Sequence, residues 1–151
     1  MSKPQEILEL EKVYGITLTE TKVAYDIKSQ KNSNLYFLSD QKEVVGLNLK
    51  GNRIKEIKNL ETLTNLSTLD ISWNQISKIE NLETLTNLST LYISSNQISK
   101  IENLETLTNL STLYIFNNQI SKIENLEPLT NLSTLYICLL YTSELPTKRI
   151  V

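Results

Sequence analysis

The chain has 151 residues, enough for one domain with an extended core, and its formal net charge at pH 7 is −2. Lysine and glutamate are mixed along the chain, so there is no basic stripe and nucleic acid is a poor candidate partner. Histidine is absent, which excludes His-dependent catalytic triads and His–metal sites. No apolar run is long enough to span a bilayer, and the start, MSKPQEILELEK, lacks the order of a secretory signal. We therefore expect a soluble, cytoplasmic, non-catalytic protein with no cofactor, no metal site and no membrane partner.

Residues 1–43 are predicted to form an N-terminal cap made of a helix and a hairpin. Ser2 with Gln5 three residues later has the form of a capping box, and Gly15 can end the helix. Two runs of alternating apolar and polar residues follow and predict the two strands of the hairpin. Their apolar members are Val23, Tyr25 and Ile27, then Leu35 and Phe37. We expect this segment to cover the open end of the repeats that come next; a separate segment that docks on a partner is the alternative.

A 22-residue unit then repeats over residues 44–137. Three copies are nearly identical, the first copy is looser, and the fifth breaks off after Ile137. In the second copy Leu69 and Ile71 alternate with polar residues, which predicts a short strand with one buried face. Apolar residues at every third position follow, a spacing that fits 3₁₀ or extended turns. Such a unit is too small to fold alone, so neighbouring copies must share one continuous core.

The corner after each strand carries an asparagine. A buried amide at a corner can bond backbone groups that the turning chain leaves without partners, so we interpret this ladder as structural. Its members are Asn52, Asn74, Asn96 and Asn118.

The pattern Leu-x-x-Leu-x-Leu/Ile-x-x-Asn-x-Ile, repeated in register over residues 44–137, resembles the leucine-rich repeat family. The short period resembles its bacterial, phosphatase-regulator-like and internalin-like subclasses. The resemblance implies an α/β fold: a curved right-handed horseshoe with a parallel sheet on the concave side and 3₁₀ or irregular segments on the convex side. It also implies a non-catalytic module for protein–protein interaction.

The concave side of that solenoid is the candidate binding face. Adjacent parallel strands lie about 4.8 Å apart, so outward-facing tyrosines at the same position of successive copies form a column. The copies differ mainly on or beside this face, as expected of a surface that selects a partner. The candidate partner-binding residues are Asp70, Trp73, Tyr92, Tyr114, Phe116 and Tyr136.

Several interpretations of the function stay open. The array is expected to bind a protein partner and to be the recognition part of a larger regulatory or signalling protein. An internalin-like cell-surface adhesin is one alternative. A structural spacer, with its tyrosines serving only cross-strand stabilisation, is the other.

Residues 138–151 depart from the repeat. Leu140 stands where the corner asparagine is expected, and CLLYTS over residues 138–143 resembles the translation of a sequencing adapter. We interpret the tail as an assembly artefact, with a divergent C-terminal end as the alternative. Either way, we expect the last repeat to leave apolar surface open and to favour self-association.

Overall fold

The computed structural model describes residues 2–28 and 32–140 of the chain. Within these residues, one sheet of seven strands runs in chain order along the molecule. Its strands are β1 (Thr19–Thr21), β2 (Leu35–Leu38), β3 (Val44–Asn48), β4 (Thr68–Asp70), β5 (Thr90–Tyr92), β6 (Thr112–Tyr114) and β7 (Thr134–Tyr136). Strands β3 to β7 pair in parallel, and each residue pairs with the residue 22 positions later, as Leu69 does with Leu91. The predicted parallel-sheet solenoid is therefore confirmed.

One core runs through the whole array. Leu69 and Ile71 point into it with the apolar residues of the return path, and most of these side chains have almost no exposed surface. On the return path the amide of Leu63 donates to the carbonyl of Leu60, and the amide of Leu66 donates to that of Leu63, both at 2.9 Å. These are the three-residue bonds of 3₁₀ geometry. The predicted irregular convex side is confirmed as a chain of such turns.

The N-terminal helix is α1 (Gln5–Tyr14), and it ends at Gly15 in the left-handed conformation (φ 64°), as the sequence predicts. The capping box is wrong, because the N-cap is Pro4 and it makes no side-chain cap bond. Proline already has the φ a helix start needs and has no amide hydrogen to satisfy. The hydroxyl of Tyr14 accepts from the amide of Lys58 (2.7 Å) and donates to its carbonyl (2.8 Å), which fastens α1 to the first repeat.

A hairpin is present, but one strand later than expected. It pairs β2 with β3 in antiparallel fashion, and β1 joins β2 in parallel. The strand predicted at Val23, Tyr25 and Ile27 is wrong, because a short helix, α2 (Tyr25–Lys28), occupies that stretch. The three alternating apolar residues do not share one buried face as they would in a strand, because Ile27 is buried while Val23 and Tyr25 are exposed.

The predicted asparagine ladder forms, and three of its members tie a repeat to the one before it. Asn52, in the first copy, instead donates to the carbonyls of Leu49 and Lys50 and to the side chain of Asn34. Asn96 accepts from the amide of Ile76 (2.9 Å) and donates to the carbonyls of Ile71 (3.1 Å) and Ile93 (3.2 Å). Asn74 and Asn118 make the corresponding bonds in their own repeats. These bonds satisfy buried backbone groups at the corners, which supports the structural interpretation.

Two further asparagine ladders on the return path were not identified in the sequence. Their side-chain amides donate to carbonyls of the preceding repeat, as Asn103 does to Ile79 (2.8 Å) and Asn109 does to Thr86 (2.8 Å). The first of these ladders lies at left-handed backbone positions, where asparagine is tolerated. Asparagine recurs every 22 residues at both positions, and this recurrence could have predicted the two ladders from the sequence.

The C-terminal turn is more open than the others. Ile123 is 43% exposed, whereas its counterpart Ile101 is fully buried. The amide of Leu140 donates to the carbonyl of Ile120 (2.7 Å), a bond that Gln119 makes to Ile98 in the previous repeat. The 22-residue period would place the donor of this bond at position 141, so the chain departs from the period by one residue here. The predicted tail is described only as far as Leu140; residues 141–151 lie outside the described residues.

Candidate partner-binding face

A column of tyrosines stands on the concave face. Tyr92, Tyr114 and Tyr136 are register partners on β5, β6 and β7. The rings of Tyr92 and Tyr114 stack with centroids 4.7 Å apart, and those of Tyr114 and Tyr136 with centroids 4.4 Å apart. Tyr92 and Tyr114 are partly exposed, and Tyr136 is 52% exposed. The column has the geometry expected from the sequence, outside the core.

The N-terminal half of the same face is covered by the cap. Helix α2 packs against β3 and β4, and the buried side chain of Ile27 lies over Gly46. A Cβ atom on Gly46 would lie 3.0 Å from Ile27 Cγ1, so glycine gives this contact room that a larger residue would reduce. Asn48 donates its side-chain amide to the carbonyl of Ile27 (2.9 Å), which fixes α2 in place. The open binding surface therefore begins after β4.

Asp70 lies at this boundary and is only 6% exposed. Burial raises the pKa of its carboxyl group, while bonds from the amide and hydroxyl of Ser72 act in the opposite direction. Asp70 Oδ1 accepts from the Ser72 amide at 2.9 Å. A side chain so well covered and internally bonded has little surface left for a partner, unlike the other candidate residues.

The next repeat lacks this arrangement. Ser94 is the counterpart of Ser72, but Tyr92 replaces the aspartate that accepts the serine hydroxyl. Ser94 Oγ is buried and has no hydrogen-bond partner among the described residues. Burying a hydroxyl group without a partner costs free energy, which makes Ser94 an unusual feature of an otherwise satisfied corner.

Trp73 is the most exposed of the candidate residues and has a strained backbone. It is 60% exposed and adopts φ 56°. The same position is left-handed in the other repeats, where it is occupied by Gly51, Ser95 and Asn117. Glycine and asparagine tolerate this conformation, whereas for a bulky residue it is an outlier. The left-handed backbone therefore belongs to the corner of every repeat, and at Trp73 it is combined with a ring left in solvent.

Two more aromatic side chains border the open surface. Phe116, a candidate residue, is 40% exposed on the strand end after β6. Tyr25, on α2, is 73% exposed and close enough to Tyr92 to contribute to the raised pKa of the Tyr92 hydroxyl, whose main cause is burial. Tyr25 was not among the predicted residues because the sequence placed it in a cap strand.

The described residues offer little for chemistry other than binding. No group of three or more Asp, Glu, His or Cys side chains within residues 2–28 and 32–140 is placed to hold a metal ion. In that same part of the chain, no helix has the length and apolar character needed to cross a membrane. The candidate site is thus a surface of aromatic rings and hydroxyl groups on a sheet.

The fold and this face define a parallel-sheet repeat solenoid. A family model described as Leucine-rich repeat matches residues 25–149. The chain belongs to the leucine-rich repeat family. Domains of this family generally act as non-catalytic modules for protein–protein interaction. A comparison with curated proteins finds no significant match.

Among the solved structures that resemble the chain are the following three. Internalin C2 from Listeria monocytogenes is 26% identical, with a TM-score of 0.57 over 70% of this chain and 61% of that one. A chain of the Drosophila melanogaster SNF/U2A' complex is 30% identical, with a TM-score of 0.55 over 78% of this chain and 68% of that one. Listeria monocytogenes internalin InlF is 24% identical, with a TM-score of 0.55 over 85% and 51% of the two chains, and shows the fold alone. The chain thus spans only part of each internalin.

Proposed function

We propose that the chain is the recognition part of a larger regulatory or signalling protein in the cytoplasm. It binds a protein partner through the open half of its concave face. The observation that carries the proposal is the strained, solvent-exposed Trp73 beside the stacked tyrosine column. Exposed aromatic rings on a rigid frame supply large contact areas at low entropic cost, which is typical of binding hot spots. The similarity to a chain of the SNF/U2A' complex also supports a protein partner.

The test compares two double variants of the full chain as baits. Tyr92→Ser with Tyr114→Ser removes two rings of the column, and Glu83→Ser with Glu105→Ser is the control on the exposed convex side of the same repeats. We expect at least one protein captured by the wild type and by the control to be lost with the concave variant. If the three baits capture identical sets of proteins, the chain is a spacer.

A cell-surface adhesin is the second candidate, favoured by the similarity to internalin C2. In that case the same face binds a molecule outside the cell. Protease treatment of intact cells separates the two: a surface protein is digested, and a cytoplasmic one is protected until the cells are lysed.

A further inference from the structure

A cleft opens at the N-terminal end of the array, on the return path after β3 and away from the tyrosine column. Its volume is about 370 Å³. Val13 and Tyr14, at the end of α1, line one side of it. The first repeat lines the other side with Asn52, Ile54 and the charged residues Arg53, Lys55, Glu56 and Lys58. We call this feature the cationic cleft.

The charges of the cationic cleft are particular to the first repeat. Arg53, Lys55 and Lys58 stand where each later copy carries glutamine, serine and glutamate. Stacking of the repeats does not need cations at these positions, because the later copies stack without them. The end of α1 is fastened to this same repeat through the bonds between Tyr14 and Lys58. The cations therefore occur where α1 supplies the second wall of a cleft.

Two of the three cations have no counter-charge. Lys58 Nζ lies 2.6 Å from Glu56 Oε2, so these two charges offset each other. The exposed side chains of Arg53 and Lys55 make no ion pair or hydrogen bond with any residue in the described part of the chain. Two like charges that line one cleft repel each other, and a bound anion would remove this repulsion.

The backbone of Arg53 adds a further donor. In the later repeats the amide at this position donates to the repeat before it, as Gln75 N does to Ile54 O and Gln97 N does to Ile76 O, each at 2.8 Å. Arg53 belongs to the first repeat, and within residues 2–28 and 32–140 its amide makes no hydrogen bond. Arg53 also adopts a left-handed backbone (φ 58°), which Gln75 and Gln97 do not share. Its amide thus remains available to a ligand.

These donors match a phosphate monoester better than a carboxylate. A phosphate monoester carries a charge of about −1.5 to −2 at pH 7 and has three strong acceptor oxygens. A carboxylate carries one charge on two oxygens. The cationic cleft offers two unpaired positive charges and the Arg53 amide, and the planar guanidinium group suits bidentate binding of phosphate. A carboxylate would leave one of the two positive charges uncompensated.

The size and the apolar side of the cleft indicate what carries the phosphate. Small-molecule sites have volumes of roughly 300–1,000 Å³. A cleft of about 370 Å³ lies at the small end of this range, so it has room for one modified side chain. Val13 is 41% exposed and offers an apolar contact to the chain that carries the phosphate. A phosphorylated side chain uses both walls, whereas a free phosphate ion uses only one.

We infer that the cationic cleft binds the phosphate group of a phosphorylated side chain on a partner protein. Arg53 and Lys55 neutralise the phosphate, the Arg53 amide donates to one of its oxygens, and the Val13 side contacts the carrier. This inference goes beyond the proposed function, because none of these residues lies on the concave face.

Nuclear magnetic resonance of the full chain tests the inference, with the amide signals of Arg53 and Lys55 as reporters. The probes are three blocked peptides, Ala-Leu-Xaa-Leu-Ala with phosphoserine, serine or glutamate at Xaa, and inorganic phosphate, all at about 0.15 M salt. We expect saturable shifts with the phosphoserine peptide and at least tenfold weaker binding of the other three probes. Equal binding of the glutamate peptide or of inorganic phosphate, or no shift at these amides, would overturn the inference.

Two double variants test whether the cleft itself is responsible. Arg53→Gln with Lys55→Ser gives the first repeat the residues of the later copies, and we expect at least tenfold weaker binding of the phosphoserine peptide. Lys78→Ser with Lys100→Ser removes as much positive charge from exposed positions outside the cleft and should bind normally. Circular dichroism and thermal melts establish that both are folded. Undiminished binding by the folded cleft variant, or equal losses in the two variants, contradicts the assignment.

A transplant separates the cleft from its charges. Gln97→Arg with Ser99→Lys, added to the cleft variant, places the same two cations in the third repeat, away from α1. We expect binding to stay weak, and recovery to the wild-type level would mean that charge alone attracts the peptide. The concave variant, Tyr92→Ser with Tyr114→Ser, should bind the phosphoserine peptide normally. Loss of the peptide from the concave variant would place the site on the wrong surface, so this inference and the proposed function can fail separately.

Discussion

Asp70 and Tyr92 are register partners on β4 and β5, yet they lie on opposite sides of the boundary that α2 sets across the concave face. Asp70 is buried and bonded to Ser72, whereas Tyr92 begins the stacked column of the open half. A single strand spacing thus separates a residue that serves the fold from one available to a partner. This division has consequences for stability.

Asp70→Asn is expected to stabilise the protein at neutral pH. Because burial raises the folded-state pKa of Asp70, its contribution is fully present below the unfolded pKa of about 3.9 and is lost as pH rises through the raised folded value. An amide avoids this loss and still accepts a backbone bond, as Asn48 does from Lys50 at 3.0 Å. Urea unfolding should show a gain at pH 7 that shrinks toward pH 3. Asp40→Asn, on an exposed loop, is the control; a gain that does not change with pH contradicts the prediction.

Trp73→Asn is expected to raise stability while weakening partner binding. The left-handed backbone at Trp73 costs about 1 kcal/mol that asparagine largely avoids, and the mostly exposed ring loses little packing. Asn117 already occupies this position in another repeat. Equilibrium unfolding and the bait experiment measure the two effects on one variant. A loss of stability would mean that the ring packs on the fold and that its strain has a structural origin.

Asn96→Ala is expected to cost about 1–3 kcal/mol, because it leaves the buried amide of Ile76 without a partner. The carbonyls of Ile71 and Ile93 keep the bonds that Asn74 and Asn118 donate to them. Asn109→Ala is the control, since its amide makes one bond to Thr86 O at an exposed position and should cost about 1 kcal/mol or less. Denaturant unfolding of both variants measures the difference. Equal costs would show that the corner ladder is not the main polar tie between repeats.

The sequence predicted the array well and its cap poorly, for a physical reason. The 22-residue period determines the strand, the corner and the row in which each side chain lies. Tyr92 and Tyr114 are 22 residues apart, so their stacking is expected from the sequence. The position of α2 depends on a contact between residues far apart in the chain, Ile27 and Gly46. The signal was present, because Gly46 stands in a row where the later repeats carry threonine, but local alternation around Tyr25 favoured a strand instead.

Gly46→Ala is expected to destabilise the cap by about 1–3 kcal/mol through overpacking. The added methyl group would lie 3.0 Å from Ile27 Cγ1 and 3.3 Å from Phe37 Cβ, so these neighbours must give by a few tenths of an ångström, and we expect α2 to loosen. Faster hydrogen exchange of the α2 amides, together with a lower unfolding midpoint, would report this. Thr112→Ala, in the same row beyond the reach of α2, should change stability by less than about 1 kcal/mol. Unchanged exchange in α2 would show that the contact does not hold the cap in place.

Self-association is the last expectation, and the open C-terminal turn supplies its cause. Ile123 is 43% exposed, Leu126, Leu132 and Ile137 are only partly buried, and one edge of β7 has no neighbouring strand among the described residues. At the opposite end, β2 and α1 pack on the first repeat, so its apolar core residues are buried there. We therefore expect two copies to meet through their C-terminal turns and the association to stop at a dimer. Sedimentation at tens of micromolar should show a mass that rises with concentration and is reduced by Ile123→Lys. Val13→Lys introduces the same charge at a comparably exposed apolar position on α1 and should leave association unchanged. A monomer at all concentrations, or equal effects of the two lysines, would mean that the exposed turn does not attract a second copy.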